Sequence, residues 1–452
     1  MKINGEEMKR RYKEFLRRLL VIAVPIILSN LISQLQMMID RMFLGRADDL
    51  YMSALSNVTS PMWATMSFCF SLAAGASILI SQSVGAGDRE NIEEYAGAMI
   101  KYNSIIPVLL FLFWMFLSEP VFRLMKVSDN LMPMCLSYAR YYAPVFILAG
   151  LAGALSVILQ TSNYTKPMVV YGILRAGSNI ILDYILIYGK LGFPALGIKG
   201  AAIATTIAEY LGAFFIGYVF FTSKRLSTRP SFKGIKKAKI STYFTSAKLG
   251  VNTALEDFAW NLGNLCLIRI LNTINEFAAG IYSIIFGVEL LAVVIVGAIG
   301  NSTMTLTSEA TGKKDLEQYK GVCICAYSIC VIAAMVMILL ALIIPEQIVS
   351  LFTKDTSIIA TSGIYLLLMG INLISKSANI IIGNGIRGSG DTRWMLYTQI
   401  LGTIGIVIVA ALLVYVCKFG ILGVFLAVLL DEAVRALINL WKYLRIVKAW
   451  EN

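Results

Sequence analysis

The chain has 452 residues, of which 58% are hydrophobic and 15% are charged, with a mean hydropathy of +0.74 and a formal net charge of +12. Soluble globular proteins are closer to half apolar and a quarter charged, so this composition excludes a set of soluble domains, a disulfide scaffold, a disordered chain and a nucleic-acid-binding domain. Twelve membrane helices of about 20 residues would need about 240 apolar residues, which this chain supplies.

Apolar runs near or above the length needed to cross a bilayer recur along the whole chain. Their number predicts an all-α membrane protein with twelve transmembrane helices in two six-helix lobes. The runs lie at 19–44, 54–82, 96–118, 132–159, 168–188, 200–222, 247–271, 277–307, 320–344, 358–384, 395–416 and 421–441.

Basic residues are concentrated in a few short segments, and this asymmetry orients the spans. Cytoplasmic loops carry an excess of Lys and Arg, whereas the loops at 45–53 and 189–199 are poor in bases. We therefore expect both termini in the cytoplasm of a bacterial or archaeal inner membrane. The basic residues are Lys2, Lys9, Arg10, Arg11, Lys13, Arg17 and Arg18 at the start, Lys224, Arg225, Arg229, Lys233, Lys236, Lys237, Lys239 and Lys248 after the sixth run, and Lys442, Arg445 and Lys448 at the end.

Short segments recur in the same order within the chain. Those at 87–95, 160–166 and 197–200 are followed by similar segments at a nearly constant offset, at 312–319, 387–393 and 420–423. Parallel repeats of this kind are a transporter architecture, with a cavity between the halves and alternating access by rocking. The predicted organisation is an N-lobe at 1–222, a basic cytoplasmic linker at 223–246 and a C-lobe at 247–452.

Two absences from the sequence limit the chemistry. No histidine is present, which removes the commonest general base and metal ligand. No Gly-x-x-x-x-Gly-Lys-Ser/Thr phosphate-binding loop is present, so we expect neither an enzyme nor an ATP-driven pump, and no cofactor. Cys323, Cys325 and Cys330 share one apolar run, where buried packing is favoured over a soft-metal site.

Intramembrane acids outnumber the clear intramembrane bases, which favours cationic cargo and coupling to an ion gradient. Asp40 and Asp183 lie in the outer parts of spans 1 and 5, and Asn179 precedes Asp183 by one helical turn. Thr205 of span 6 lies near the same depth. These oxygens could bind Na⁺, or a buried carboxylate could bind H⁺. The alternative is that each acid only accepts a hydrogen bond from a neighbouring helix.

The second half holds a different mixture of charges. Glu256 and Asp257 lie in the inner part of span 7, at the depth of Lys376 in span 10. We expect a salt bridge between Glu256 and Lys376, with either a structural or a gating role. The other intramembrane acids are expected to be locally satisfied, with Arg435 pairing the last two of them. They are Glu209, Glu289, Asp431 and Glu432.

Several motifs together resemble the multidrug and toxic compound extrusion (MATE) transporters over nearly the whole chain. Span 1 reads PIILSNL from residue 25 and DRMFLG from residue 40, span 2 ends in SQSVGAGD, span 5 contains NIILDY, span 6 begins GAAIAT, and RGSGDT follows span 10. Pro25 removes a backbone hydrogen bond and permits a bend, and it matches the family's span-1 proline.

The resemblance implies a proton- or sodium-coupled antiporter that exports organic cations. In the DinF-like branch the N-lobe ion site uses a span-1 Asp and a span-5 Asn-x-x-x-Asp, which match Asp40, Asn179 and Asp183. NorM-like members carry an acid in span 10 where this chain has Lys376, and their span-7 acid matches Glu256. A lysine there disfavours a second Na⁺ site by charge repulsion.

The expected function is therefore multidrug efflux by antiport, with small organic cations and the bilayer as partners, no nucleic acid, and a monomeric state. One alternative is a flippase for lipid-linked oligosaccharides in the same wider superfamily, which would need bases facing a pyrophosphate. A membrane scaffold or receptor is a third interpretation, which the repeat and the paired acids disfavour.

Overall fold

The computed structural model describes residues 5–275, 277–350 and 356–451, and this part of the chain is built from helices and short connections without strands. Lys2, one of the predicted N-terminal bases, lies outside it. The helices are α1 (Gly5–Ala47), α2 (Asp49–Ala86), α3 (Arg89–Leu124), α4 (Met132–Tyr142), α5 (Val145–Thr161), α6 (Lys166–Tyr188), α7 (Gly197–Thr222), α8 (Phe232–Lys237), α9 (Ile240–Asn272), α10 (Ala278–Lys313), α11 (Leu316–Ile343), α12 (Pro345–Ser350), α13 (Thr356–Gly388), α14 (Thr392–Ala411) and α15 (Gly420–Glu451), with a π-helical turn at Leu412–Val416.

Each of the twelve apolar runs lies within these helices. Among the described residues, nine helices are long and apolar enough to cross a membrane. The run at 132–159 differs from its prediction as one straight span, because α4 and α5 meet at an angle of 46°. Pro144 lies at this break and lacks the backbone N–H that a continuous helix would use. The bent pair of α4 and α5 adds one span to these nine. Helices α9 and α15 contain the predicted runs 247–271 and 421–441 and bring the number of spans to twelve.

The internal repeat is visible in the backbone itself. Residues with a left-handed backbone conformation (φ between +54° and +97°) occur in both halves. Each of those in the second half follows its counterpart in the first half by nearly the same number of residues. Such a conformation is costly for any residue other than glycine, so its recurrence marks equivalent turns in the two halves. The pairs are Gly87 and Lys314, Asn163 and Gly390, Leu191 and Lys418, and Gly197 and Gly420.

The repeated Gly-Asp segment starts a helix in both halves by the same local chemistry. Asp88 precedes α3 and accepts a hydrogen bond from the Asn91 backbone N–H at 3.0 Å. Asp315 precedes α11 and accepts one from the Gln318 backbone N–H at 2.9 Å. An N-cap aspartate satisfies an otherwise unpaired donor of the first turn and suits the positive end of the helix dipole.

The contacts divide the chain into two compact units. We call Val24–Val84 and Asp88–Val251 the N unit, and the described residues of Met1–Ala23, Gly85–Gly87 and Asn252–Asn452 the C unit. Helices α1, α2 and α9 therefore each contribute residues to both units. The lobe boundaries predicted from the sequence follow the repeats rather than these contacts, and they stay a prediction.

Each unit has its own apolar core. In the N unit, Trp114, Phe122 and Phe146 are fully buried together. In the C unit, the aromatic rings of Tyr282 and Phe425 pack with centroids 5.7 Å apart. These cores hold the helices at fixed rotations, so the polar side chains within the apolar spans keep defined neighbours.

Candidate functional site

Two aspartates from different helices meet inside the N unit. The carboxyl groups of Asp40 on α1 and Asp183 on α6 are close neighbours. Asp183 is completely buried. Apart from this mutual contact, the Oδ1 atom of Asp40 and both carboxyl oxygens of Asp183 have no hydrogen-bond partner in the described part of the chain. The pair therefore has unused acceptor capacity in a buried position.

Asn179 extends this pair into a row of polar groups across three helices. It lies one turn before Asp183 on α6 and is fully buried. Its Oδ1 accepts a hydrogen bond from Gln36 Nε2 at 2.9 Å, and its Nδ2 donates to Thr205 Oγ1 at 3.3 Å. The structure thus brings together all four residues predicted for the site: Asp40, Asn179, Asp183 and Thr205.

Two residues of this cluster were missed in the sequence. Gln36 precedes Asp40 by one helical turn, so an i, i+4 search from Asp40 would have found it. Tyr138 on α4 is buried and lies beside Thr205. Nothing in the local sequence marks Tyr138, because its position depends on how α4 packs against α7.

A partly buried base near this cluster is already neutralised. Arg175 lies one turn before Asn179, and its Nη1 donates to Glu209 Oε1 at 2.6 Å. Arg175 also contacts the Ser33 hydroxyl. The prediction that Glu209 is locally satisfied is confirmed. Because Arg175 is paired, its charge is not available to the Asp40–Asp183 pair.

The C unit pairs its buried charges differently from the prediction. Lys376 Nζ donates to Glu289 Oε1 at 2.8 Å, and Asn372 donates to the same oxygen at 3.3 Å. Glu256 instead forms an ion pair with Arg387. The predicted ion pair between Glu256 and Lys376 is therefore wrong, because depth alone does not fix which way a side chain points around its helix.

A second charged cluster lies beside Lys376. Arg435 forms ion pairs with Asp431 at 2.9 Å and Glu432 at 3.0 Å, as predicted, and donates to Gln399 at 2.6 Å. These groups and the Lys376–Glu289 pair line a cavity of about 40 Å³, which is room for a few waters. Three carboxylates thus face two cations, so this cluster is neutral to within one charge.

Three further predicted features can be placed. Asp257 is exposed on α9 and forms no ion pair with any described residue. Pro25 is buried within α1, two residues after Ala23, the last residue of α1 that belongs to the C unit. No group of three or more His, Cys, Asp or Glu able to hold a metal occurs among the described residues, and Cys323 and Cys330 are buried, in keeping with a packing role.

A family model described as MatE matches this chain twice, over residues 25–185 and 253–413. These two segments cover well over half of the chain. The chain belongs to the MatE family. The two matches are equally long and follow one another in the same order, so the internal repeat of this MatE protein, predicted from short segments, is confirmed.

Known relatives of this MatE protein include transporters from bacteria. It is 27% identical over 444 residues to a probable multidrug resistance protein NorM of Thermotoga maritima, covering 96% of this chain and 94% of the relative. It is 26% identical to an uncharacterized transporter, YisQ, of Bacillus subtilis, covering 88% and 89%.

The fold of this MatE protein also matches a solved structure. That structure is an outward-facing multidrug resistance MATE family transporter of the MOP superfamily, with a TM-score of 0.89, 18% identity and 97% coverage of both chains. At this identity the likeness concerns the fold alone. The predicted all-α membrane fold with two lobes is confirmed by it.

Proposed function

We propose that this protein is a secondary antiporter that exports organic cations from the cytoplasm in exchange for H⁺ or Na⁺ by alternating access. Membership in the MatE family and relatives named as multidrug resistance proteins support the transport of drugs. The observation that carries the coupling proposal is the contact between Asp40 and Asp183, neither of which forms an ion pair with a base among the described residues.

Both candidate coupling ions suit the oxygen atoms of this site. Na⁺ takes carboxylate, amide and hydroxyl oxygens, which Asp40, Asp183, Asn179 and Thr205 supply. A proton would instead bridge the two carboxyl groups, since two buried carboxylates in contact do not both remain charged without a counter-ion. Either ion removes the same electrostatic conflict, so both remain in the proposal.

The electrostatic repulsion between the two carboxylates is large enough to drive a conformational change. Two unit charges about 4 Å apart repel by about 4 kcal/mol at an effective dielectric constant of about 20. Binding of one cation cancels most of this repulsion between α1 and α6. An organic cation needs the same negative charge, so ion and cargo compete, and each occupant favours a different arrangement of α1, in which Pro25 permits bending.

The charged cluster of the C unit has a structural role in this proposal. Lys376 and Arg435 already hold the places that free cations would take beside Glu289, Asp431 and Glu432. A second coupling ion would therefore have little net charge to bind. Glu256 and Lys376, through their ion pairs with Arg387 and Glu289, keep α9, α10 and α13 in register rather than bind cargo.

The orientation follows from the distribution of basic residues. With the N-terminal segment, the linker after α7 and the C-terminal segment in the cytoplasm, Asp40 and Asp183 lie towards the outer side of the inner membrane. An ion arriving from outside would reach them without crossing the whole bilayer. We propose that a monomer is sufficient, because the N unit contains every residue of the ion site.

Efflux of ethidium from proteoliposomes tests the proposal. The wild type is expected to export ethidium under an imposed pH or Na⁺ gradient, whereas Asp40→Asn and Asp183→Asn abolish the gradient-driven component while remaining folded. Asp129→Asn is the matched control, because it removes one acid at an exposed loop position and should transport normally.

Two results would count against the proposal. Normal pumping by Asp40→Asn would show that the coupling site lies elsewhere. Failure to move ethidium under either gradient, together with binding of a lipid-linked oligosaccharide precursor, would favour the flippase. The N-unit site disfavours that alternative, because Arg175 is paired with Glu209 and Arg41, which follows Asp40 in the chain, is exposed.

A further inference from the structure

The linker between α7 and α9, residues 223–239, is held firmly against the N unit. Glu93 of α3 accepts a hydrogen bond from the Ser231 backbone N–H at 2.7 Å, and Lys101 donates to the carbonyls of Lys236 and Ala238 at 3.1 and 3.0 Å. The buried Thr228 hydroxyl bonds to that of Thr161 at 2.8 Å. This segment, which we call the basic linker, therefore presents a fixed surface.

One face of α8 is turned away from the protein and is strongly basic. Gly234 and Ile235 face inwards. The Gly234 backbone packs so closely against α3 that a Cβ added to Gly97 would lie 3.1 Å from it. Lys233, Lys236 and Lys237 are turned to the other side, and the basic linker also carries Lys224, Arg225 and Lys239.

These charges are not neutralised by nearby acids. No acid occurs between Glu209 and Glu256 in the sequence, and none of these six bases of the linker forms an ion pair with the described residues. The closest acids of α3 are engaged otherwise: Glu93 accepts from Ser231, and Glu94 accepts from Thr242. These six exposed bases, of which Arg225 also stacks on the Tyr164 ring, outnumber the two carboxylates, so the surface keeps a net positive charge that can bind an external anion.

Exposed apolar side chains flank the bases on both sides. Phe221, at the end of α7, stacks on Phe232 with centroids 5.7 Å apart, and 58% and 74% of these side chains are exposed. Ile240 and Phe244, at the start of α9, are 54% and 63% exposed. Bases between exposed aromatic and aliphatic residues at the ends of two spans are typical of a surface in the membrane interface.

The same region contains a cleft of about 290 Å³, walled by Phe221, Pro230 and Phe232. Arg229 lies at its edge, where its guanidinium caps the carbonyls at the end of α7 at 2.9–3.3 Å. The cleft is several times larger than the cavity of the C unit. An apolar wall beside a row of bases matches a molecule that is both apolar and anionic.

We propose that the basic linker binds the headgroups of anionic phospholipids. Lysines of α8 contact the lipid phosphate, and Phe221 and Phe232 contact the glycerol and upper acyl region. Orienting the spans requires basic charge alone. It does not require a pinned linker, an exposed aromatic stack or a cleft, so these features point to a bound lipid.

Native mass spectrometry of the full chain tests this proposal, with phosphatidylglycerol and phosphatidylcholine as the added lipids. The wild type is expected to retain phosphatidylglycerol in preference to phosphatidylcholine. Because each base near an anionic surface contributes about fivefold to binding, Lys233→Gln/Lys236→Gln/Lys237→Gln should weaken phosphatidylglycerol binding about tenfold or more. Phe232→Ser, which keeps the charge, should also weaken it.

The matched control is Lys9→Gln/Lys13→Gln/Lys448→Gln, which removes the same charge from exposed positions in the C unit and should bind phosphatidylglycerol like the wild type. Equal loss in this control, no preference of the wild type for the anionic lipid, or displacement of the lipid by millimolar inorganic phosphate would overturn the proposal. Normal insertion of the linker variant is checked by surface labelling of the exposed Cys417.

Discussion

Buried carboxylates in this protein have two kinds of surroundings. Glu209, Glu289 and Glu432 each contact a base at 2.6–3.0 Å, whereas Asp40 and Asp183 contact each other. A buried ion pair is already compensated, but a pair of acids is stable only with an added cation or proton. This contrast between residues of the same chemistry supports the proposal that the N-unit pair is the ion site.

Asn179, one of the proposed oxygen ligands of the ion, is also predicted to position that pair. Asn179→Ala removes the hydrogen bonds to Gln36 and Thr205, so Asp183 loses its ordered surroundings. We expect gradient-driven ethidium efflux to fall about 10- to 100-fold, as for other residues that orient ion ligands. Ser178→Ala is the control, because this neighbouring hydroxyl bonds only to carbonyls of its own helix. Equal efflux in the two variants would contradict this role.

The Lys376–Glu289 pair is predicted to act on stability rather than on ion coupling. Lys376→Met leaves Glu289 buried without its cation, which costs about 3–5 kcal/mol, so the melting temperature should fall. Lys376→Met/Glu289→Met removes both charges and should recover most of that loss. Its ion-driven efflux should match the wild type. A stable double variant without coupled transport would instead assign the pair a gating role.

At the residue scale, sequence reasoning located the acids but not all of their partners. Asp40, Asn179 and Asp183 were predictable because intramembrane acids are rare and helical spacing places Asn179 beside Asp183. The partner of Lys376 was not predictable. Glu256 and Glu289 lie on different helices, and only the packed rotation of α10 against α13 directs Glu289 towards the lysine.

At the scale of elements, the close approach of helices depends on particular glycines. A Cβ on Gly150 of α5 would lie 2.1 Å from the Asn103 carbonyl oxygen of α3 and 2.3 Å from Pro107 Cγ. Real atoms do not approach so closely, so the two helices can pack at this distance only if residue 150 has no side chain. The same contact keeps α3 beside α5 within the N unit.

Gly150→Ala is therefore predicted to destabilise the protein by about 1–3 kcal/mol, as overpacking commonly does. Gly217→Ala is the control, because a Cβ on Gly217 of α7 meets nothing within 4 Å. The control should be neutral or slightly stabilising, since alanine favours the helix by about 1 kcal/mol over glycine. Thermal unfolding in detergent compares the two, and similar melting temperatures would contradict the packing argument.

Hydrophobic length predicted the helices well. The capping role of Asp88 and Asp315, which start their helices in both halves, was not predicted, although both residues belong to a repeated segment. The break between α4 and α5 was missed, although Pro144 marks it, because an apolar run does not show whether its helix is straight. The short helix α8 was also not foreseen, since it depends on docking of the linker against α3.

At the scale of the whole molecule, the architecture consists of two repeated halves, and the distribution of basic residues predicts its orientation in the membrane. The family model matches each half of the chain separately. The proposed ion site nevertheless occurs in one half. By the spacing of the repeated left-handed turns, Leu267 and Ala410 occupy the second-half positions that correspond to Asp40 and Asp183. The repeated scaffold thus differs between its halves in where it places buried acids.

The orientation makes a direct prediction for Cys417, which is exposed between α14 and α15. With both termini in the cytoplasm, this loop faces outwards. A membrane-impermeant maleimide should label intact cells through Cys417, and Cys417→Ser should remove that signal. A cysteine introduced at Lys224 in the Cys417→Ser background should react only after permeabilisation. The reverse pattern would invert the topology.

The central claim is that ion and cargo compete for the Asp40–Asp183 pair. Its most direct measurement is ethidium binding to the purified protein, followed by fluorescence anisotropy at increasing H⁺ or Na⁺ concentration. The account predicts that the coupling ion weakens ethidium binding to the wild type and that Asp40→Asn and Asp183→Asn lose this dependence. The same ion dependence in both variants as in the wild type would contradict it.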